Sequence, residues 1–140
     1  MVAMPEKSLK QQLFDLYYDT LNDRQREAVY QVRGPLLVLA GAGSGKTTVL
    51  VTRLGYMVLC KNIAPCNILT MTYTKAATEE MRARFGENFG HGYARDMEIC
   101  TINSLATQII SFYARHHGRA EPPQLIENEE AVRIIAGLYQ

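Results

Sequence analysis

Apolar side chains near the start of the chain recur at helical intervals. Within residues 7–18 they are spaced three and four positions apart, which predicts an amphipathic helix. These side chains are Leu9, Leu13, Leu16 and Tyr17. A second short helix is predicted over residues 23–32, because Asn22 followed by Gln25 three positions later has the form of a capping box.

The pattern then changes to short apolar runs that alternate with helical segments. Residues 36–40 form a continuous apolar run that is too short for a helix and predicts a strand buried on both faces. After a loop over residues 41–45, apolar spacing predicts a helix over residues 46–61. Residues 68–73 predict a second strand, and residues 76–85, which are rich in Ala, Glu, Met and Arg, predict a helix.

The rest of the chain repeats this alternation. A glycine-rich stretch precedes a third strand predicted over residues 97–102, after which Asn103 or Ser104 can cap a helix that ends near residue 116. A linker is predicted over residues 118–123, and a last helix from residue 128 to the end of the chain. Strands and helices in this order predict an α/β fold, in which helices flank a parallel sheet.

Composition predicts one domain with a substantial core. The chain has 140 residues, 47% of them hydrophobic, and its net charge of +1 lacks the basic excess of many nucleic-acid-binding proteins. No apolar run approaches the roughly 18 residues of a membrane span. Residues 1–10 lack the apolar segment of a secretion signal, so we expect a cytoplasmic protein without membrane contact.

Cysteine and histidine predict neither disulfides nor a metal centre. The cysteines are odd in number and lack CxxC spacing, so reduced and mostly buried thiols are expected. The histidines lack cysteine or acidic partners at metal-ligand spacing. The residues concerned are Cys60, Cys66, Cys100, His91, His116 and His117.

The segment from Ala40 to Thr47 lies between the first predicted strand and its helix, where a phosphate-binding loop belongs. Its glycines let successive backbone N–H groups turn toward one anion, and the helix N-terminus adds positive potential. Lys46 would place its ammonium on the β- and γ-phosphates, and the Thr47 hydroxyl would bind Mg²⁺. The pattern predicts a nucleoside triphosphate as ligand; the alternative is a glycine-rich turn with a surface lysine.

The first position of the general loop pattern is glycine, whereas this chain has Ala40. Glycines at positions 41, 43 and 45 keep the required flexibility. Such a loop leaves two enzyme classes open: a motor that hydrolyses ATP on a nucleic-acid track, and a small nucleoside or nucleotide kinase. The length of the chain favours the kinase, and the segments around the loop favour the motor.

Four segments resemble motifs of the UvrD/Rep/PcrA-type superfamily 1 (1A) DNA helicases. Leu21–Val29 resembles the Q motif, and Leu37–Thr47 resembles motif I, including its alanine in the first loop position. Thr70–Arg82 is similar to motif Ia, and Cys100–Leu105 is similar to motif Ib. The resemblance implies a P-loop NTPase (RecA-like) fold and the activity of an ATP-dependent DNA helicase.

The resemblance also implies an ATP site that uses Mg²⁺. Gln25 would read the adenine edge, because its amide both donates and accepts hydrogen bonds; the alternative is a polar residue on a solvated helix face. Lys46 and Thr47 would be catalytic, and Thr47 would hold the metal. The implied nucleotide-binding residues are Gln25, Ala40, Gly41, Ala42, Gly43, Ser44, Gly45, Lys46, Thr47 and Thr48.

Contacts with single-stranded DNA are implied where the second and third strands end. The implied residues are Thr72, Tyr73, Thr74, Lys75, Asn103 and Ser104. The alternatives are core packing for Tyr73 and helix capping for Asn103 and Ser104. Lys75 stands one place earlier than the lysine of the family, and Asn103 replaces its usual histidine. Arg82 and Arg84 are expected to be solvated charges on a helix face.

An ATPase of this class also needs a carboxylate after a later buried strand, and no apolar run here ends in Asp-Glu. We therefore interpret the chain as the N-terminal piece of a larger helicase, inactive alone, with an incomplete domain and an unpaired strand edge. Residues 1–118 would belong to subdomain 1A, and residues 119–140 would begin the helical subdomain 1B.

The resemblance implies 3′→5′ translocation on single-stranded DNA, unwinding at duplex junctions and a role in DNA repair or recombination. Three alternatives stay open: a helicase–nuclease subunit, a stand-alone P-loop nucleotide kinase and a non-catalytic P-loop module. We expect the chain to be a monomer.

Overall fold

The structure is a computed structural model that describes residues 8–118, 126 and 128–138. The chain divides into two compact units, Met1–Thr101 and Ile102–Gln140. In chain order the elements are α1 (Leu9–Tyr18), α2 (Asp23–Tyr30), α3 (Lys46–Gly55), β1 (Leu69–Thr72), α4 (Lys75–Phe89), α5 (His91–Asp96), β2 (Glu98–Thr101), α6 (Ile102–His116) and α7 (Asn128–Leu138). The helix prediction over residues 46–61 is confirmed, with α3 continuing as a π-helical turn over Tyr56–Cys60.

Side-chain caps explain where the first helices begin. Ser8 caps α1, its hydroxyl accepting a hydrogen bond from the backbone N–H of Gln11. The capping box predicted for α2 is present: the Asn22 side chain accepts from the Gln25 N–H at 3.0 Å, and the Gln25 side chain accepts from the Asn22 N–H at 3.0 Å. Both predicted helices are confirmed by these contacts.

The sheet contains β1 and β2, which are parallel and pair from Leu69 with Glu98 to Thr72 with Thr101. The predictions of strands over residues 68–73 and 97–102 are therefore confirmed. Because the strands are parallel, both end at the same edge of this sheet. In chain order, α4 and α5 lie between the two strands, and α4 contacts both of them.

The prediction of a strand over residues 36–40 is wrong. This segment forms no part of the sheet in the described residues, and its side chains are exposed rather than buried: Leu37 is 82% exposed and Leu39 is 87% exposed. An apolar run becomes a strand only when neighbouring strands satisfy its backbone N–H and C=O groups. Within the described residues, no strand pairs with this segment.

The core of the first unit lies between the helices and the sheet. α3 packs against α2 and α4, and α1 packs against the π-helical turn and α3. The largest fully buried side chains are Phe14, Val29, Val51, Thr52, Phe85 and Met97. Burial of these apolar surfaces supplies most of the free energy that holds the elements together.

The helix predicted over residues 76–85 is confirmed but is longer than predicted. α4 runs through Gly86 to Phe89, although a glycine inside a helix costs about 1 kcal/mol. Phe85 and Phe89 lie one turn apart and are both buried in the core, which offsets that cost. Gly90, at φ +115°, then ends α4 and precedes α5, a helix that the sequence pattern did not predict.

The second unit contains α6 and α7, which confirm the last two predicted helices. The apolar side chains of α6 include Ile109, Phe112 and Tyr113, and more than half of each side chain is exposed. Apart from Gly118, the predicted linker over residues 118–123 lies outside the described residues, and so do the last two residues of the chain. No helix in the described part of the chain is long and apolar enough to cross a membrane.

Candidate functional site

The loop from Gly41 to Gly45 joins the extended segment 36–40 to the N-terminus of α3. Gly43 and Gly45 have φ of +73° and +80°, in the left-handed region that side chains disfavour. Gly45 is also the N-cap of α3, and a Cβ atom there would lie 2.9 Å from Nε2 of Gln25. Glycine is therefore required at position 45 for two reasons, its backbone conformation and the closeness of a side chain.

Carbonyl groups of the loop face its own polar side chains. The Ser44 hydroxyl donates a hydrogen bond to the Gly41 carbonyl at 2.7 Å, and the Lys46 ammonium donates to the same carbonyl at 2.7 Å. Lys46 also donates to the carbonyl of Ala40 at 3.4 Å. The ammonium thus lies against the loop, at the start of a ten-residue helix whose N-terminal N–H groups favour anions.

Gln25 connects the loop to α2, although 19 positions separate it from Ser44. Its Nε2 donates a hydrogen bond to the Ser44 carbonyl at 3.0 Å, while its Oε1 accepts the Asn22 N–H of the capping box. Both ends of the amide therefore have a protein partner. Each end retains capacity for another bond, since an amide nitrogen has two hydrogens and its oxygen has two lone pairs.

A cleft of about 440 Å³ lies between α2, the extended segment, the loop and α3. Gln25, Ala40, Gly41, Ser44 and Lys46 are among its lining residues, so the structure brings these predicted site residues together. Apolar side chains are also among the lining residues, namely Ala28, Val38, Leu39, Val49 and Leu50. The remaining loop residues do not line the cleft: Ala42 and Gly43 are exposed, and Gly45 is partly buried. Thr48 is exposed, whereas Thr47 is half-buried in the first turn of α3.

Four of the predicted DNA-contacting residues follow or end β1. Tyr73 is 91% exposed, so its alternative assignment to the core is wrong. Lys75 is exposed at the first position of α4. The Thr74 hydroxyl caps that helix by accepting from the Ala77 N–H at 3.2 Å, and the Thr72 and Thr78 hydroxyls are 2.6 Å apart. Thr74 is exposed as well, but its hydroxyl is engaged in the cap, so Tyr73 and Lys75 are the exposed side chains that this edge offers to a ligand.

Asn103 and Ser104, the other two predicted DNA-contacting residues, lie in the second unit. α6 begins at Ile102, so both residues lie inside its first turn and not before it. Asn103 is exposed, and its backbone carbonyl accepts a hydrogen bond from the Thr107 hydroxyl at 2.9 Å. The prediction that Asn103 or Ser104 caps this helix is therefore wrong, and their contact with DNA stays a prediction.

Arg82 is a residue whose role the sequence pattern missed. The expectation of a solvated charge is wrong, because its guanidinium donates to three backbone carbonyls, those of Ala94 (2.6 Å), Met97 (3.1 Å) and Ile99 (3.0 Å). These carbonyls belong to α5, to the residue after it and to β2. No pattern in the sequence separates Arg82 from Arg84, because each stands next to a buried apolar residue, Met81 or Phe85.

Arg84, two positions along α4, behaves as expected for a solvated charge. It is about half exposed and forms an ion pair with Glu80 at 2.8 Å, one helical turn away. The contrast between the two arginines arises from which face of α4 each one occupies.

Burial and hydrogen bonding raise the pKa values of Cys100 and Tyr30, two groups outside the loop. Burial raises the pKa of the Cys100 thiol, and the carboxylate of Glu98 raises it further. A hydrogen bond with Tyr18 is the main cause that raises the pKa of Tyr30, and burial raises this pKa further. All three cysteines are free, but Cys100 alone is buried, while Cys60 is partly buried and Cys66 is exposed. The expectation of mostly buried thiols is therefore wrong. Among the described residues, no group of three or more His, Cys, Asp or Glu could hold a metal ion.

The chain is similar in sequence to several known DNA helicases. Escherichia coli DNA helicase II is 41% identical to the chain over 125 residues, which are 87% of this chain and 17% of that protein. The ATP-dependent DNA helicase PcrA of Bacillus subtilis is 38% identical over 120 residues, 86% of this chain and 16% of the relative. PcrA of Leuconostoc citreum is 43% identical over 90 residues, 64% of this chain and 12% of that protein.

The chain therefore spans about a sixth of the length of the first two of these relatives. The family model of the UvrD/REP helicase N-terminal domain matches residues 21–140, which include the capping box of α2, the loop, both strands and α6. The resemblance inferred from the four motifs is confirmed by this match, and the chain belongs to the UvrD/REP helicase N-terminal domain family.

Proposed function

We propose that the chain supplies the ATP-binding N-terminal part of a DNA helicase that moves 3′→5′ on single-stranded DNA and unwinds duplex junctions. Its relatives carry the names DNA helicase II and ATP-dependent DNA helicase PcrA. In the proposed protein, the RecA-like sheet of a P-loop NTPase is completed by strands beyond the two described here. We propose that this helicase acts in DNA repair or recombination.

The observation that carries the proposal is the cleft that joins Gln25 to Lys46. Its volume of about 440 Å³ lies within the range of about 300–1,000 Å³ typical of small-ligand sites. Apolar side chains from α2, α3 and the extended segment offer a surface for a base, and the loop offers backbone N–H groups and an ammonium for phosphates. These two chemistries lie side by side in one cleft, as a nucleotide requires.

The donor set also fits Mg²⁺ with a triphosphate. Thr47 would contribute its hydroxyl from the first turn of α3, next to Lys46. When bound, the metal neutralises charge on the phosphate oxygens. Within this chain, Lys46 and the N-terminus of α3 hold the negative charge, and the glycines at 43 and 45 allow the loop to approach the phosphates closely.

For DNA, the proposal uses the edge of the sheet where β1 ends. Tyr73 offers an exposed aromatic ring on which a base can stack, and Lys75 offers an ammonium for a backbone phosphate. Asn103 and Ser104, which follow β2 in the chain and lie in the second unit, are proposed to contact the DNA backbone.

Membership of the helicase family argues against a stand-alone nucleotide kinase. The division into subdomain 1A over residues 1–118 and subdomain 1B over residues 119–140 forms part of the same proposal, as does a monomeric state. A helicase–nuclease subunit would carry the same loop and cleft. Measuring nuclease activity of the complete protein separates that alternative from a simple helicase.

Titration with a fluorescent ATP analogue and Mg²⁺ tests the nucleotide site. The chain should bind saturably, and Lys46→Ala should abolish binding while circular dichroism shows a folded protein. Lys61→Ala is the matched control, because it removes a lysine whose ammonium lies over the Tyr56 ring and not against the loop. Equal binding by wild type and Lys46→Ala would refute the proposed role of the loop.

Fluorescence anisotropy with a labelled single-stranded oligonucleotide tests the DNA edge in the complete protein. Tyr73→Ala should weaken binding by about 1–3 kcal/mol, the usual contribution of a stacked base. Arg95→Ala, which removes an exposed charge on α5, should have little effect beyond a small change in salt dependence. Unchanged DNA affinity in Tyr73→Ala would refute the assignment of this edge.

A further inference from the structure

Hydrogen bonds within the protein hold both ends of the Gln25 amide. Its oxygen accepts the Asn22 N–H at 3.0 Å, and its nitrogen donates to the Ser44 carbonyl at 3.0 Å. The backbone N–H of Gln25 is itself bonded to the Asn22 side chain. The side chain therefore extends from a capped helix N-terminus to the middle of the loop with little freedom.

The loop has few other attachments to the rest of the unit. Its other hydrogen bonds within the described residues are internal or involve α3. The Ser44 N–H and hydroxyl donate to the Gly41 carbonyl, and the Lys46 ammonium donates to the carbonyls of Ala40 and Gly41. Among the hydrogen bonds recorded for the described residues, Gln25 provides the one from α2 to this loop. The loop side chains and backbone are otherwise largely exposed.

The contact also constrains the backbone that follows. Gly45 has φ +80°, and its Cα lies so near Gln25 that a Cβ would be 2.9 Å from Nε2. A hydrogen bond on the Ser44 carbonyl fixes the plane of the peptide that joins Ser44 to Gly45. That peptide carries the N–H of Gly45, one of the groups directed toward an anion in a loop of this kind.

We propose that Gln25 is a positioning residue for the phosphate-binding loop, which it holds through the Ser44 carbonyl independently of any contact with a base. The inference rests on the proposed nucleotide site and adds a second role for Gln25. Its consequence is specific: loss of the Gln25 amide weakens binding of phosphate chains that carry no base at all.

Calorimetric titration of the 140-residue chain with Mg²⁺ and either ATP or inorganic tripolyphosphate tests this role. Gln25→Ala should bind tripolyphosphate about 2- to 10-fold more weakly than wild type, the effect of losing one hydrogen bond of about 0.5–1.5 kcal/mol. Asn22→Ala is the matched control, because it removes the other half of the capping box and leaves the Gln25–Ser44 bond possible. Lys46→Ala defines binding at the loop, and thermal melts establish that each variant is folded.

Each outcome decides between the roles. Weaker binding of both ligands by Gln25→Ala, with Asn22→Ala like wild type, supports the positioning role. Loss of ATP affinity alone would mean that Gln25 only reads the base, and equal losses in both variants would assign the effect to helix capping; either result overturns the inference. If wild type shows no Lys46-dependent binding of tripolyphosphate, the proposed function fails first and the inference fails with it.

Discussion

Replacing Arg82 by alanine should destabilise the chain far more than its place on a charged helix suggests. The guanidinium donates to the carbonyls of Ala94, Met97 and Ile99, and in this way ties α4 to the end of α5 and to β2. A hydrogen bond to a charged group contributes about 1.5–3 kcal/mol when it is isolated. Three bonds from one partly buried side chain do not add fully, so we expect a loss of about 3 kcal/mol.

Such a loss is large against the roughly 5–15 kcal/mol that stabilise a typical domain. Lysine at the same position should recover only a part, because a single ammonium lacks the planar fork of donors that reaches three carbonyls. The matched control is Arg84→Ala, which removes an exposed i,i+4 pair with Glu80 on the same helix and should cost about 0.3–0.5 kcal/mol.

Urea unfolding followed by circular dichroism measures these differences. The midpoint should fall steeply for Arg82→Ala, moderately for Arg82→Lys and barely for Arg84→Ala, with a similar slope of free energy against urea in each case. Equal midpoints for Arg82→Ala and Arg84→Ala would refute the reasoning, because the three carbonyl contacts would then contribute no more than a surface ion pair.

Four further predictions concern the loop, a helix cap and two cysteines. Gly45→Ala should lower the melting temperature through about 1–2 kcal/mol of left-handed strain and its contact with Gln25, whereas Gly41→Ala, where a Cβ would meet nothing within 4 Å, should be neutral or stabilising. Thr74→Ala should cost about 1 kcal/mol in chemical unfolding by uncapping α4, and serine should restore most of it. Because burial raises the pKa of Cys100, the folded chain keeps that proton after the unfolded chain has lost it, so stability should fall as pH rises above the ordinary thiol pKa. The exposed Cys66 should react with a thiol reagent at neutral pH before Cys100 does; equal rates would contradict this assignment.

Most of the helices were predictable from the sequence, α5 being the exception. Helices depend on contacts within four positions, so apolar spacing and caps such as Asn22 and Thr74 specify them almost by themselves. The loop was predictable for the same reason, since the glycines, Lys46 and the start of α3 are adjacent in the chain. Even the extension of α4 through Gly86 follows from Phe85 and Phe89 once both are seen to be buried.

The segment 36–40 shows where that reasoning stops. Its apolar run has the composition of a buried strand, but strand formation depends on partners that are distant in the sequence. In the described residues those partners are absent, so the same side chains are exposed. Composition predicts that a segment is suited to a strand, and only pairing makes it one.

The sequence by itself determined every helix except α5, the capping box, the glycine-rich loop before α3 and the family to which the chain belongs, because each depends on residues that are neighbours along the chain. The tertiary structure decided that Gln25 holds the Ser44 carbonyl, that Arg82 joins α4 to β2, and that Tyr73 faces solvent. The two hydrogen bonds join residues 17 or more positions apart, and the exposure of Tyr73 depends on which elements cover it. Such relations are set by packing, which brings distant residues together and which no local pattern records.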